Sequence, residues 1–242
     1  MTWEDDHFFF VNKPPGVATS GSTIGPDHGE TATMHHEVLQ HGVRSGWRTR
    51  PRLLHRLDQP VSGLLMYAKT VNAFRFARQM MEHHRFMRKE YIAVVTGRPS
   101  VPIGELTCSY IKSPDRLRYR FASSGRRKAT TRYETLASFR HPHLGAVSVL
   151  RLSLGTGRQH QLRATCEALG CPIVGDPLYG GHEWPVTMLH AARIAFDTPT
   201  ARTYDVRAAP PAEWRSSVDA ATDWRDRLTD AGVELPPLGQ VS

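Results

Sequence analysis

His55-Arg56-Leu57-Asp58-Gln59-Pro60-Val61-Ser62-Gly63-Leu64-Leu65 sets one carboxylate between a basic pair and a turn, directly ahead of an apolar run. That run continues through Met66-Tyr67-Ala68 and fits a buried strand. A carboxylate in a loop at the mouth of a sheet stands where reactive groups commonly sit. Neighbouring cations favour its charged form. Asp58 also reads as a turn aspartate bonding its own backbone, and local sequence alone favours that second reading.

On the N-terminal side, Phe8-Phe9-Phe10-Val11 reads as a strand entering a rigid turn at Asn12-Lys13-Pro14-Pro15-Gly16. Residues 18–50 are rich in Gly, Ser, Thr and His and read mostly as loop, with one short helix near Thr33–His41. On the C-terminal side, Phe76 and Met80 recur at helical spacing and predict a helix over 72–84. A strand at Tyr91–Val95 is ended by Gly97 and Pro99. Residues 101–140 read as strands and turns, with alternation over Thr130–Leu136, and Val147–Leu154 alternates as well. Met188–Phe196 is a further strand candidate. Trp214, Val218, Ala221 and Leu228 form the apolar stripe of a helix over 211–231, followed by a loose tail. No repeat or linker divides the chain, so one α+β domain over 1–242 is expected.

Gly157-Arg158-Gln159-His160-Gln161-Leu162-Arg163 opens a helical pattern that runs to Leu169. On such a helix Gln159 and Arg163 share a face, and Arg158 and Arg163 do not. Arg and Gln suit bidentate contacts to carboxylate, phosphate or base edges. Cations at a helix N-terminus oppose the macrodipole, so an anion is expected nearby.

The chain carries a formal net charge of +8 and a pI of about 9.7. That balance favours a polyanionic partner, nucleic acid first, over a basic surface kept for solubility. Cys108, Cys166 and Cys171 have neither disulfide-framework nor zinc spacing, which points to a reducing cytosol. No stretch has the length of a membrane span, and the acidic start lacks the apolar run of a signal peptide. The pairs His35-His36, His83-His84 and His141-x-His143 leave a metal-dependent hydrolase open, but none has metalloprotease or zinc spacing, so no metal is expected. No nucleotide-cofactor loop or serine-nucleophile elbow is found.

Taken together, seven segments resemble the RluA-type pseudouridine synthases. The stretch 55–65 resembles their His-Arg-Leu-Asp-x-x-Thr-Ser-Gly-Leu-Leu motif, with Val61 in place of Thr. Asn12–Gly16, Lys89-Glu90-Tyr91-Ile92-Ala93, the segment 125–136, Gly157–Arg163, Gly175-Asp176-Pro177-Leu178-Tyr179-Gly180 and Leu189-His190-Ala191 match further motifs in the family's order, over about residues 4–215. At 125–129, Arg126-Arg127-Lys128 makes the family's segment slightly longer. From where the sequence starts, the small RNA-binding domain that many relatives have in front is not expected.

The resemblance implies a pseudouridine synthase fold, a mixed and largely antiparallel sheet with flanking helices and a central RNA-binding cleft. It implies conversion of a uridine in rRNA or tRNA to pseudouridine, without cofactor, by a cytoplasmic enzyme taken to be a monomer. Asp58 is then the essential carboxylate, acting on ribose, base or a sugar proton. Arg163 pairs with it, which favours the ionised carboxylate and fixes its rotamer. Tyr91 packs on the uracil. Arg56 fills the stack when the target base flips out. His55 and Leu57 shape the loop, and Leu162 lines the apolar part of the pocket. Lys13, Arg158 and the cluster Arg126-Arg127-Lys128 are candidate phosphate contacts, and Gln161 is a candidate RNA contact. A catalytically inactive RNA binder or folding chaperone is the alternative that the same charge and shape would serve.

Overall fold

The computed structural model describes residues 3–21, 23–24, 30–31, 33–82, 87–114, 117–125 and 127–216, with the single positions 229 and 232. In chain order the elements are β1 (Trp3–Glu4), β2 (Phe8–Lys13), β3 (Thr23–Ile24), β4 (Glu30–Thr31), α1 (Met34–Arg44), β5 (Arg52–Leu53) and β6 (Ser62–Ala68). Then come α2 (Val71–Glu82), β7 (Met87–Thr96), β8 (Ile103–Lys112), β9 (Tyr119–Ala122), β10 (Lys128–His141) and β11 (Gly145–Leu154). Last come α3 (Gln161–Ala168), a 3-10 turn at Pro177–Tyr179, β12 (Leu189–Asp197), β13 (Thr203–Arg207) and α4 (Glu213–Ser216).

Among the described residues, eleven strands form one sheet in the order β1-β2-β6-β12-β7-β11-β10-β8-β9, with β13 paired to β12 and β5 to β6. All pairings in it are antiparallel except β6 with β12. The mixed, largely antiparallel α+β architecture read from the sequence is therefore the one the chain adopts.

The uninterrupted apolar runs are explained by cover on both faces of the sheet. In β2, Phe9 and Val11 enter the core shared with α1 and α3, while Phe8 and Phe10 enter the core beneath α2. Tyr91 to Val95 of β7 are likewise buried throughout. Thr33 caps α1, its Oγ1 accepting from His36 N at 3.3 Å. Helix α2 begins one residue before the predicted start, and the predicted end at His84 lies outside the described residues. Of the helix expected over 211–231, Glu213–Ser216 is helical, and most of the remainder lies outside the described residues.

Two differences bear on the site. Helix α3 starts at Gln161, not at Arg158, because His160 sits in the left-handed region at φ 56°. The Gln161 side chain turns back and accepts from Arg158 N at 3.0 Å, so Gly157–His160 forms a loop. Gln159 and Arg163 thus do not share a helix face, and Arg158 is not a cation on a helix N-terminus.

Candidate active site

The strands place the loop 55–61 at the open end of the sheet, where β6 emerges beside β12. The register pairs His190 with Ser62 and Ala191 with Gly63. Gly63 has φ +117°, and a Cβ there would fall on the backbone N and O of Ala191. A hydrogen bond from His190 Nε2 to Ala208 O at 3.0 Å leaves Nδ1 to accept from Ser62 Oγ at 2.9 Å. Burial holds the His190 imidazole down at about 4, so it stays neutral in this role.

From below, the N-terminal turn clamps the loop. Lys13 is wholly buried, and its Nζ donates to Pro14 O (2.8 Å), Val17 O (2.7 Å) and Gln59 O (3.1 Å). Gly16 N donates to Gln59 O at 2.9 Å, and Gln59 Nε2 returns a bond to Gly16 O. Thr19 Oγ1 donates to Leu57 O at 2.7 Å and accepts from Leu57 N at 3.1 Å. Lys13 was read as a phosphate contact; its ammonium is instead consumed by three carbonyls under the loop. Burial pulls its pKa down to about 8, against the opposing charge of Asp58.

Asp58, Tyr91, Arg163, His55, Arg56, Leu162 and Arg158 line one cleft of about 1190 Å³. Lys13 does not reach it. Gln161 borders it, but its amide is spent: Nε2 donates to Thr130 O (2.8 Å) and Thr131 Oγ1 (3.0 Å), and Oε1 accepts from Thr156 Oγ1 (2.8 Å). Gln161 therefore fastens α3 to β10 instead of contacting RNA. Arg56 and Arg158 are exposed, Leu162 is buried in the core, and Arg126 lies outside the described residues.

Arg163 is held by a carboxylate that the sequence reading did not single out. Its Nε and Nη2 donate to Asp176 Oδ2 and Oδ1 at 2.7 and 2.6 Å, and Asp176 is completely buried. Its remaining Nη1 faces Asp58 Oδ2 at 3.6 Å, an ion pair too long for a hydrogen bond. Burial opposes the guanidinium charge, but the bonds and charge of Asp176, with the charge of Asp58, raise its pKa above the ordinary arginine value. The Asp58 side chain is 22% exposed, so a substrate can reach it.

Two further groups complete the wall. Tyr179 lies under the Arg163 guanidinium, 4.8 Å from ring centre to Cζ. Its hydroxyl accepts from Tyr119 N at 2.9 Å and shares a hydrogen bond with His160 Nδ1 at 3.0 Å. The other ring nitrogen of His160, Nε2, faces Asp58 Oδ1 at 3.9 Å. Burial lowers the His160 pKa, against the pull of Asp58, and so favours the neutral ring. Its left-handed backbone is the kind of local strain that collects at functional sites. The Gly175–Gly180 motif carried the signal for Asp176 and Tyr179, and Gly157–Arg163 that for His160, but neither motif shows which partner each side chain meets. Burial, then the charge of Asp58, raises the Tyr91 phenol well above its ordinary value, so Tyr91 is a neutral apolar surface with one hydroxyl proton.

A family model described as RNA pseudouridylate synthase matches residues 7–168. An uncharacterized RNA pseudouridine synthase of Bacillus subtilis, YhcT, is 30% identical over 219 residues, 89% of this chain and 70% of that protein. The ribosomal large subunit pseudouridine synthase D of Nitrosomonas europaea is 34% identical over 187 residues, 74% of this chain but 49% of that protein. Among solved structures, the human RNA pseudouridylate synthase domain containing 1 superposes with a TM-score of 0.69 at 24% identity, covering 98% of this chain and 95% of that one. The human domain containing 4 gives 0.68 at 20% identity, covering 97% and 94%. These two show that the fold is shared.

Proposed function

The chain belongs to the RNA pseudouridylate synthase family, and from that premise we propose that it isomerises a uridine of structured rRNA or tRNA to pseudouridine, with Asp58 as the acting carboxylate. The bond from ribose C1′ to uracil N1 breaks, the uracil turns, and C1′ rejoins at C5. The C5 proton leaves and N1 ends protonated, so atoms and electrons balance without redox partner or cofactor. The observation that carries this reading is the convergence of Asp58, Tyr91 and Arg163 in one cleft, with Arg163 fixed by Asp176.

Asp58 acts on the ribose, on the base or on a sugar proton, and each role needs an ionised carboxylate with a free edge. A guanidinium held from behind supplies the charge without covering that edge. Tyr91 supports the uracil face, and its hydroxyl stands in the cleft where a proton leaves the base carbon. His160 Nε2 stands 3.9 Å from Asp58, within reach of a polar atom of the nucleotide. Reaching the cleft requires the uridine to flip out, at a cost of a few kcal/mol. The exposed Arg56 guanidinium stacks in the gap that remains.

The test is pseudouridine mapping by carbodiimide labelling of total RNA, with and without the gene, and with Asp58→Asn restored. A site present with the wild type and lost with both deletion and Asp58→Asn is the expected result. Full modification by Asp58→Asn rejects the assignment. If no site is lost and Asp58→Asn rescues growth, the protein is an RNA-binding chaperone.

A further inference from the structure

Beyond the Asp58 site the cleft continues toward α2, and its lining there turns cationic. Lys89, Arg78 and His55 border this end. Lys89 precedes Tyr91 by two residues on β7, so both side chains leave the same face of the sheet, roughly 6.8 Å apart along the strand. A single nucleotide spans that interval from base to phosphate.

Among the described residues, the Lys89 ammonium has no hydrogen bond or ion pair. The carboxylates bordering the cleft are engaged elsewhere: Glu82 lies 3.6 Å from Arg78 Nη2, and Asp58 faces Arg163 and His160. Glu90, on the opposite face of β7, holds Arg193 at 2.9 Å. The buried His55 Nε2 also lacks a partner. Burial and then Arg78 pull the Lys89 pKa down to about 8. Burial and then Lys89 push His55 far below its ordinary value. Lys89 is half-buried, and an unpaired ammonium that has lost part of its water is costly; an apolar side chain of similar volume removes that cost. Destabilising groups of this kind are characteristic of binding sites.

We propose that Lys89, with Arg78, forms a phosphodiester subsite that holds the RNA backbone phosphate flanking the nucleotide whose base rests on Tyr91. The subsite rests on the reading of the cleft as a uridine site. Lys89 supplies a compact charge to a non-bridging oxygen, and Arg78 swings from its loose pair with Glu82 to a second oxygen. Lys89 is half-buried within the cleft and Arg78 is exposed at its edge, so the pair fixes the position of the flipped nucleotide as well as attracting it.

The probe is a pentauridylate, with binding followed by fluorescence anisotropy across a range of salt concentrations for wild type, Lys89→Met and Lys89→Arg. Lys89→Met is expected to weaken binding roughly tenfold and to reduce the salt slope by about 0.7, the value for one contact to a single strand. Lys89→Arg keeps the slope. The uncharged methylphosphonate pentamer binds wild type and Lys89→Met alike. Lys89→Met also melts at the same or a higher temperature than wild type, whereas a merely structural lysine would lower it. Wild-type affinity and slope in Lys89→Met overturn the subsite, as does an equal loss for the methylphosphonate. Binding is scored without turnover, so a wild type that makes no pseudouridine rejects the enzymatic reading alone. An active wild type with an unchanged Lys89→Met slope rejects the subsite alone.

Discussion

Arg163 gives its two short hydrogen bonds to Asp176, at 2.6 and 2.7 Å, and stands 3.6 Å from Asp58. The buried acid therefore fixes the arginine, and the arginine supplies charge to the partly exposed acid. Without Asp176, the guanidinium would be free to swing onto Asp58 and cover the edge that a nucleotide needs.

Asp176→Asn tests this division of roles. Removing one partner of a buried ion pair costs about 3–5 kcal/mol. A lowered urea midpoint and a fall in kcat larger than the rise in KM are expected. An unchanged midpoint with full activity refutes the anchoring role.

Lys13 and Arg56 should separate stability from RNA handling. Lys13→Met deprives three carbonyls of a charged donor and is expected to destabilise by about 2–3 kcal/mol and to slow catalysis through the loosened loop. Arg56→Ala changes an exposed side chain and should stay within about 0.5 kcal/mol of wild type while losing activity. Denaturant melts and turnover rates of both variants give the comparison. A stable Lys13→Met or an active Arg56→Ala contradicts it.

Gly63→Ala drives a methyl into the Ala191 backbone at φ +117°. Overpacking costs about 1–3 kcal/mol, and the left-handed conformation adds roughly 1 kcal/mol. Loss of folded protein, or a strongly lowered melting temperature, is the expected outcome. A melting temperature equal to wild type would mean that β6 and β12 are not so closely packed.

Acid should weaken the fold before the carboxylates titrate. The unfolded chain protonates histidine near 6.5, while folded His190 resists until about 4. A depressed folded pKa gives stability that is complete above 6.5 and lost as pH falls toward 4. His190 alone accounts for roughly 3 kcal/mol over that window, and neutral, buried His55 adds in the same direction. Urea midpoints from pH 7 to 4 measure the slope, and His190→Gln should flatten it. An identical slope in His190→Gln assigns the effect elsewhere.

The strands at Phe8–Val11, Leu64–Ala68 and Tyr91–Val95 were legible because a strand covered on both faces is written as an unbroken apolar run. Strand β13 was not, since Tyr204 and Val206 alternate over too short a span to stand out. The late start of α3 was hidden because Gln161 bonds residues thirty positions away in β10. Lys13 looked exposed between a strand and two prolines; the carbonyl of Gln59 that turns it inward is 46 residues distant. Motif order located Asp58, Tyr91 and Arg163 in one cleft, but the choice of Asp176 over Asp58 as hydrogen-bond partner is decided by packing.

The parallel seam between β6 and β12 has a consequence for how the chain acquires its active form. Ser62 and His190 meet across 128 residues, and Asn12 reaches Ala209 O at 3.2 Å. Contacts of such span make folding slow. During synthesis the loop bearing Asp58 gains its last supports only when residues near 209 have left the ribosome. Recovery of activity on refolding should therefore coincide with the slowest phase of sheet formation.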